Sequence, residues 1–540
     1  MPSLKYIYGP PGTGKTTRIC NKINEILEVN PHAKFLVLTP TNKAADVICN
    51  KLLEINSNIN TVRLSSPTDP ELEESIYRDV VDIEEMDRIK VVATTVHRLP
   101  YYEIQNASLL FQYKWNYVIF DESSMIGLHY ITFALMALYK TNQNIRFIIS
   151  GDPKQIPPVV EINDTELENF DYQDENIYKM MGLDSFDPKE QSIRVSDSII
   201  NLPTQYRSVP QIGQLFSELS YSNQLKHERE INGKPCRKLP KDFRSIISTN
   251  VTFIDLPLDR SNSVYDIKKL FYSSYNIYSA ILVTEIIKYF DSVSNEKWRI
   301  GIISPYKAQA MLINKLITSG NLSENTIVFS DTVHGFQGDE CDIVFFVCNP
   351  NNYYYTGHQK SLLSKEYIYN VAISRAKDYL IVLHPFSAIT NNEFINKIGS
   401  SYIRNFGNEK IKHSEDIERI LFNETKNFIV NDSYVSGHDN VNVFGHTSLK
   451  YFIKTGDTAI DILLRDRKYT FRDTMLEESN FTTIDIKSSN TEDLCTADDK
   501  VEESNFIETE VPFIEGVKVV GKIDLSQFEK YKKEQNIGRN

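Results

Sequence analysis

Short apolar runs separated by polar, helix-patterned stretches recur from the first residues of this chain, at 6–8, 35–38, 91–93, 117–120 and 147–149. Runs of this length suit strands, and their alternation with amphipathic stretches predicts a parallel sheet covered by helices. A second series follows at 252–254, 300–303, 326–329, 343–347 and 380–383. The expected fold class is therefore α/β, with two similar units in tandem and a boundary near residue 200. The polar, acidic stretches 65–87 and 161–175 read as surface loops or helices rather than core. Beyond about residue 400 the pattern changes. A helical segment near 413–422 gives way to short alternating runs at 441–444, 451–453 and 459–464, which predict a small β-rich appendage. Residues 488–510 are acidic and contain Ser, Thr and Asn, as a linker or disordered segment would. The domains expected are 1–200, 201–400 and a C-terminal accessory region, 401–540.

Composition narrows the class without choosing a function. A chain of 540 residues exceeds a single hydrophobic core, and its length suggests about three or four domains. At 41 % hydrophobic and 24 % charged it is ordinary globular material. It contains no run of about 18 apolar residues, and Met1 leads almost directly into a glycine-rich motif, leaving no room for a signal peptide. A soluble, cytoplasmic protein with no membrane partner is expected. Cys20, Cys49, Cys236, Cys341, Cys348 and Cys495 form no C-x-x-C pair, which argues against a disulfide framework, a zinc module or an iron–sulfur cluster. The net charge of −13 does not exclude a nucleic-acid partner, because the electrostatic footprint of such a partner is a local stripe.

The chemistry begins at Gly9-Pro10-Pro11-Gly12-Thr13-Gly14-Lys15-Thr16-Thr17, which follows the first apolar run and fits the phosphate-loop pattern G-x-x-x-x-G-K-[ST]. Glycines at 9, 12 and 14 let backbone N–H groups close around phosphate oxygens. Lys15 should reach the β/γ-phosphates and Thr16 should hold Mg²⁺, while a helix starting near Lys15 turns its positive dipole end toward the anion. Gly12, Thr13, Gly14, Lys15, Thr16 and Thr17 thus form the expected ATP-binding set. At the end of the 117–120 run, Asp121 and Glu122 suit the two remaining tasks of a phosphate-loop ATPase, completing the Mg²⁺ shell and polarising the attacking water. The turn Gly151-Asp152-Pro153-Lys154-Gln155 aims Gln155 back at the nucleotide, where a neutral amide can bond the γ-phosphate and sense hydrolysis.

The motifs in order resemble those of superfamily 1 helicases, with wording most similar to the Upf-like branch. They are the phosphate loop, Thr39-Pro40-Thr41-Asn42-Lys43-Ala44-Ala45, Asp121-Glu122, the Gln155 turn, Gln205-Tyr206-Arg207, Ser304-Pro305-Tyr306-Lys307-Ala308-Gln309, Gly335-Phe336-Gln337-Gly338-Asp339-Glu340 and Val371-Ala372-Ile373-Ser374-Arg375-Ala376-Lys377. The match spans about residues 4–385. It implies two RecA-like domains with ATP and Mg²⁺ between them, single-stranded DNA or RNA crossing both, and a monomeric motor that moves 5′ to 3′ and unwinds duplexes. Carried over by motif, Arg207 and Arg375 are arginine fingers for the γ-phosphate, Tyr206 faces the adenine and Glu340 the ribose, and Gly338 joins the nucleotide-binding set. Two echoing stretches, Thr94-Thr95-Val96-His97 and Asp331-Thr332-Val333-His334, would each grip the strand. The implied nucleic-acid set is Pro40, Thr41, Asn42, Thr95, His97, Ser304, Pro305, Tyr306, Thr332 and His334.

Three departures qualify the resemblance. Upf-like helicases carry sequence before the phosphate loop, including an adenine-contacting glutamine and a β-barrel on a helical stalk, and here these are expected to be absent or replaced. The zinc-rich regulatory region of the nonsense-decay helicase is missing, and Gln205-Tyr206-Arg207-Ser208-Val209-Pro210 is slightly off the usual wording. The region from about 400 is uncovered. Asp461 and Asp485-Ile486-Lys487 there admit a nuclease-type site, although a docking module for a protein partner or a substrate-guiding module is the simpler reading. Two rivals to a helicase are an ATP-driven remodeller that does not unwind and an ATP-gated clamp. A hexameric unfoldase does not fit fingers carried within one chain.

Overall fold

In the computed structural model, the described residues are 3–64, 76–78, 83–100, 109–158, 176–192, 198–257, 267–270, 273–318, 322–336, 338–348, 362–386, 393–407, 411–422, 442–443 and 447–448. The chain divides into two compact units, Met1–Leu476 and Glu477–Asn540, and all described residues belong to the first. That unit contains two parallel sheets.

The first sheet uses β1 (Ser3–Tyr8), β2 (Phe35–Thr39), β3 (Thr61–Leu64), β4 (Tyr77–Arg78), β5 (Val91–Thr95), β6 (Tyr117–Phe120), β7 (Arg146–Gly151) and β8 (Ile199–Asn201), in spatial order β4-β3-β5-β2-β6-β7-β1-β8. Its central strands are apolar on both faces, as a sheet covered by helices on both sides requires. Ile7, Phe35, Val37, Val91, Ala93 and Ile119 point to one side, against Ile19 and Ile23 of helix α1 (Lys15–Val29) and Ile48 and Leu52 of α2 (Asn42–Ile55). Tyr6, Tyr8, Leu36, Leu38, Val118, Phe120, Phe147 and Ile149 point to the other, where α3 (Leu128–Thr141) packs through Ile131, Ala134 and Leu138. Each such fully buried side chain contributes roughly 1.5–3 kcal/mol.

After a short pairing of β9 (Thr204–Gln205) with β10 (Lys226–His227), helix α4 lies between those strands in sequence (Pro210–Ser220). The second sheet is built from β11 (Val251–Asp255), β14 (Trp298–Ser304), β15 (Thr326–Thr332), β16 (Cys341–Val347), β17 (Ala376–His384) and β18 (Lys412–His413), in order β15-β14-β16-β17-β11-β18. The intervening hairpin pairs β12 (Ile267–Leu270) with β13 (Ser273–Asn276). Ile300, Ile302, Ile343, Phe345, Ile381 and Leu383 pack against α5 (Ile277–Val293) and α6 (Lys307–Thr318). The opposite face, with Phe253, Val344, Phe346, Leu380 and Val382, joins the same cluster as the first sheet's β1/β6/β7 face, through Ile212, Leu215 and Phe216 of α4 and Ile368, Val371 and Ala372 of α7 (Glu366–Ser374).

The ten apolar runs predicted as strands are all strands, each extended by one to four residues at an end or matched outright. Two findings differ from expectation. Within 65–87, Ile76 and Met86 are buried at 5 % and 1 % exposure: Ile76 leads into β4, the edge strand of the first sheet, and Met86 ends the short helix Ile83–Met86. The second sheet also continues past residue 400. Tyr402 of α8 (Glu393–Phe406) stacks on Phe253 at 4.1 Å, β18 pairs with β11, and Glu418 of α9 (Ser414–Phe422) is buried against the Tyr278 hydroxyl. Of the predicted β-rich appendage, 442–443 pairs antiparallel with 447–448. The runs 451–453 and 459–464, the stretches 161–175 and 488–510, and Asp461, Asp485 and Lys487 lie outside the described residues.

Candidate nucleotide and nucleic-acid site

Strand order alone gathers the predicted nucleotide residues. The phosphate loop follows β1, Asp121-Glu122 follows β6 and the Gln155 turn follows β7, and β6, β7 and β1 are neighbours whose carboxyl ends share one edge of the sheet. The Gly9 N–H donates to Gly151 O at 3.1 Å, carrying the β1/β7 ladder one bond into the loop. Gly12 and Gly14 adopt φ of 72° and 77°, which only glycine takes without strain. Gly14 caps α1 with no side-chain acceptor, leaving the first-turn amides for an anion. Lys15 Nζ folds back on Gly9 O at 2.6 Å, and Thr13 Oγ1 donates to Pro10 O at 2.7 Å.

Thr16 Oγ1 donates to Asp121 Oδ2 at 3.0 Å. Asp121 is 2 % exposed, and its Oδ1 is buried with no partner among the described residues. Burial, reinforced by the neighbouring Glu122 charge, pushes its carboxyl up to about 6 despite the opposing charge of Lys15. An orphaned, buried carboxylate oxygen beside a threonine hydroxyl is the donor set of a hard divalent cation that takes its other ligands from phosphate and water. Glu122 itself sits at φ 52°, ψ 36°, a left-handed conformation that is costly for a side chain of this size. Gln155 is buried and donates to Asp152 Oδ2 at 2.9 Å.

The Gln205-Tyr206-Arg207 segment lies directly on the phosphate loop. The Tyr206 N–H donates to Gly12 O at 2.9 Å, and a Cβ on Gly12 would come within 2.6 Å of Arg207 Cβ. Tyr206 remains 37 % exposed and, with Gly12, Thr13, Gly14, Thr17 and Arg18, lines a cleft of about 1020 Å³. Arg207 Nε meets Glu340 Oε2 at 2.7 Å and its NH1 donates to Ser374 O at 3.2 Å. Glu340, expected at a ribose, is thus engaged with Arg207. Burial pushes its carboxyl up, but the Arg207 and Lys377 charges outweigh that and hold it below its ordinary value. Arg375 is 5 % exposed, with NH1 on Asp339 O at 3.3 Å and a buried Nε lacking an acceptor among the described residues. Burial, then the adjacent Arg207 charge, lower its pKa to about 10, so it is still charged at neutral pH. Gly338 has φ 84° and approaches Lys43, whose Nζ meets Asp339 at 2.5 Å.

The predicted nucleic-acid residues separate from this cluster by topology. Pro40-Thr41-Asn42 and Thr95-His97 follow the adjacent strands β2 and β5, and Ser304-Pro305-Tyr306 and Thr332-His334 follow the adjacent strands β14 and β15. Thr41 Oγ1 caps α2 by accepting from Ala44 N–H at 3.2 Å, and Asn42 Oδ1 accepts from Arg63 at 3.0 Å. His97 and His334 are exposed, whereas Ser304 and Pro305 are buried. Ser304 Oγ accepts from Tyr306 N–H at 3.4 Å, which shapes the loop after β14. Sequence reasoning missed the rings beside the histidines. Tyr130 lies edge-on to His97 at 4.7 Å, with the tilted His129 ring also against it at 4.2 Å, and Tyr367 lies edge-on to His334 at 6.2 Å. It also missed Tyr221 and Asn370. For Asn370 the signal was adjacency to Val371, while Tyr221 carried none.

No described helix is long and apolar enough to cross a membrane. Among the described residues no group of three or more His, Cys, Asp or Glu could hold a metal, and the five described cysteines are unpaired. Two sequence families, both described as AAA domain, match residues 2–161 and 187–385. The DNA polymerase alpha-associated DNA helicase A of Saccharomyces cerevisiae is 24 % identical over 468 residues, covering 75 % of this chain and 65 % of its own length. The DNA replication ATP-dependent helicase/nuclease of Schizosaccharomyces pombe is 27 % identical, covering 73 % of this chain and 27 % of its own. The RNA helicase Mov10l1 of Mus musculus is 25 % identical, covering 70 % and 32 %. The chain therefore spans from about a quarter to two-thirds of the length of these relatives.

Proposed function

Because this chain belongs to the Upf-like branch of the superfamily 1 helicases, we propose that it is an ATP-driven motor that moves 5′ to 3′ along single-stranded nucleic acid and separates duplexes. One observation carries the reading. The Arg207 segment is seated on Gly12 of the phosphate loop, so the two halves of a hydrolytic site face each other within one chain.

In this reading the loop amides and Lys15 bind the β/γ-phosphates, and Lys15 exchanges Gly9 O for phosphate oxygen. Thr16 and Asp121 hold Mg²⁺, which when bound neutralises the charge developing on the phosphates. Glu122 takes the proton of the attacking water, and Gln155 orients that water through its amide. Arg207 leaves Glu340 for the γ-phosphate, and the freed carboxylate becomes available to a ribose hydroxyl. Arg375, buried with an unused Nε, adds a second guanidinium whose charge cannot be lost to deprotonation at neutral pH.

The sites after β2/β5 and β14/β15 supply one strand grip per sheet. Thr41, Asn42, Thr95 and Thr332 suit phosphate oxygens, and His97 and His334, each flanked by a tyrosine ring, suit bases or sugars. Closing on ATP and opening after hydrolysis changes the spacing of the grips, which moves the strand when their affinities alternate. The names of the relatives cover both DNA and RNA helicases, and the proposal accordingly stays at single-stranded nucleic acid.

The test is steady-state ATP hydrolysis with and without single-stranded DNA or RNA, with Glu122→Gln alongside. The proposal expects stimulation by at least one polymer and a fall of about 10²–10⁴ in the variant. Hydrolysis indifferent to both polymers, or undiminished in Glu122→Gln, would contradict it.

A further inference from the structure

Helices α4 and α7 carry the two fingers at one end and share a second attachment between the far end of α4 and the middle of α7. Arg207 lies three residues before α4 and Arg375 caps the C-terminus of α7. At the finger end the two segments are bolted together by Ser208 Oγ donating to Ala376 O at 2.6 Å, Val209 N–H donating to Lys377 O at 2.9 Å and Arg207 NH1 donating to Ser374 O. Tyr221 closes the far end of α4, which at 11 residues is roughly 16 Å long. Its hydroxyl accepts from Asn370 Nδ2 of α7 at 2.7 Å.

That far junction ends on the loop of Gln155, the predicted γ-phosphate sensor. Tyr221 OH donates to Asp152 Oδ2 at 2.6 Å, the same oxygen that accepts from Gln155 Nε2 at 2.9 Å. Asp152 Oδ1 accepts from Lys154 N–H at 3.1 Å, and Asn370 Nδ2 also donates to Lys154 O at 2.7 Å. Tyr221 and Asn370 are fully buried and Asp152 is 1 % exposed. In such surroundings a polar group that loses its partner pays its whole desolvation cost, so the chain of bonds moves as a unit. The Tyr221 ring is held edge-on by Phe186 at 5.8 Å and Phe216 at 6.3 Å, so its position does not depend on the hydroxyl alone.

We propose that Tyr221 and Asn370 are positioning residues that tie the Gln155 loop to the helix pair carrying Arg207 and Arg375, so that the state of the γ-phosphate reaches both fingers through Asp152. Neither residue lines the cleft beside the phosphate loop. The Gln155 amide that bonds Asp152 carries a second N–H for the phosphate, so a shift of the amide toward the phosphate pulls on Asp152 and, through Tyr221 and Asn370, on α7. The inference rests on the ATPase reading above.

The experiment is Tyr221→Phe, which removes one oxygen and leaves the ring packing, measured in wild-type and Gln155→Ala backgrounds. Nucleic-acid-stimulated turnover of Tyr221→Phe is expected to fall about tenfold with the KM for ATP within twofold, while in Gln155→Ala the same substitution changes turnover less than twofold. Asn370→Ala is expected to repeat this pattern. Wild-type hydrolysis reports on the ATPase reading and the ratios between variants report on the coupling, so the two fail separately. Full turnover in both Tyr221→Phe and Asn370→Ala would overturn the inference. So would a tenfold loss that persists undiminished in Gln155→Ala, which would mark a merely structural role.

Discussion

Arg207 illustrates how much a single side chain can be asked to do. Its Nε serves Glu340 and its NH1 serves Ser374 O at the same time, a use of the guanidinium fork that a lysine cannot reproduce. Arg207→Lys therefore keeps the charge but is expected to lower turnover by about 10³-fold, the order expected for losing an arginine finger, with the KM for ATP little changed; steady-state kinetics decide it. His384, at the end of β17, makes a stability prediction instead. It is fully buried, and burial lowers its pKa from 6.5 to about 4. Below pH 6.5 the unfolded chain binds a proton that the folded protein refuses. The stabilisation from the neutral ring is complete above that pH and is lost as pH falls toward 4, by about 3 kcal/mol in all. His384→Phe, packed on Phe386, should flatten this part of the pH dependence of unfolding free energy. None of this was readable from sequence, where His384 is one residue after an apolar run and its burial depends on strands far away in the chain.

Elements were legible where one physical rule dominated. Runs such as 343–347 and 380–383 became central strands because they are apolar on both faces, and no other local structure hides both. The phosphate loop was legible because its glycines are constrained by backbone conformation and, at Gly12, by close contact as well. Gly14 needs its positive φ but has open space around it, so Gly14→Ala should cost about 1–2 kcal/mol of strain. Gly12 adds a Cβ clash with Arg207, so Gly12→Ala should also weaken ATP binding, visible as a rise in KM that Gly14→Ala does not match. The short strands β3, β4, β8 and β18 were illegible, since each is an edge or near-edge strand of two to four residues whose pairing is decided by its neighbours. On β3, Arg63 is fully buried and bonds Asp46 of α2 at 2.6 Å, a pair that no local pattern foretells. Asp46→Ala leaves that guanidinium uncompensated and is expected to cost about 3–5 kcal/mol in a thermal or denaturant unfolding experiment. It should also weaken binding of single strands, because Asn42 takes its orientation from Arg63.

At the scale of the molecule, each sheet separates its two kinds of chemistry by strand order. In the first, β1, β7 and β6 carry the residues proposed for the nucleotide and the adjoining β2 and β5 those proposed for the strand; in the second, β14 and β15 carry residues proposed for the strand and the segments before β16 and β17 carry Glu340 and Arg375. Motif order in the sequence named the segments that strand order brings together but not the hydrogen-bonded path from Asp152 through Tyr221 and Asn370, because its members are spaced 69 and 149 residues apart and meet only after both sheets form. The account's central claim is directed, ATP-driven movement, and displacement of streptavidin from end-biotinylated single strands measures it most directly. It predicts ATP-dependent release from the 3′ end of DNA or RNA, abolished in Glu122→Gln. No ATP-dependent release from either end of either polymer would contradict it.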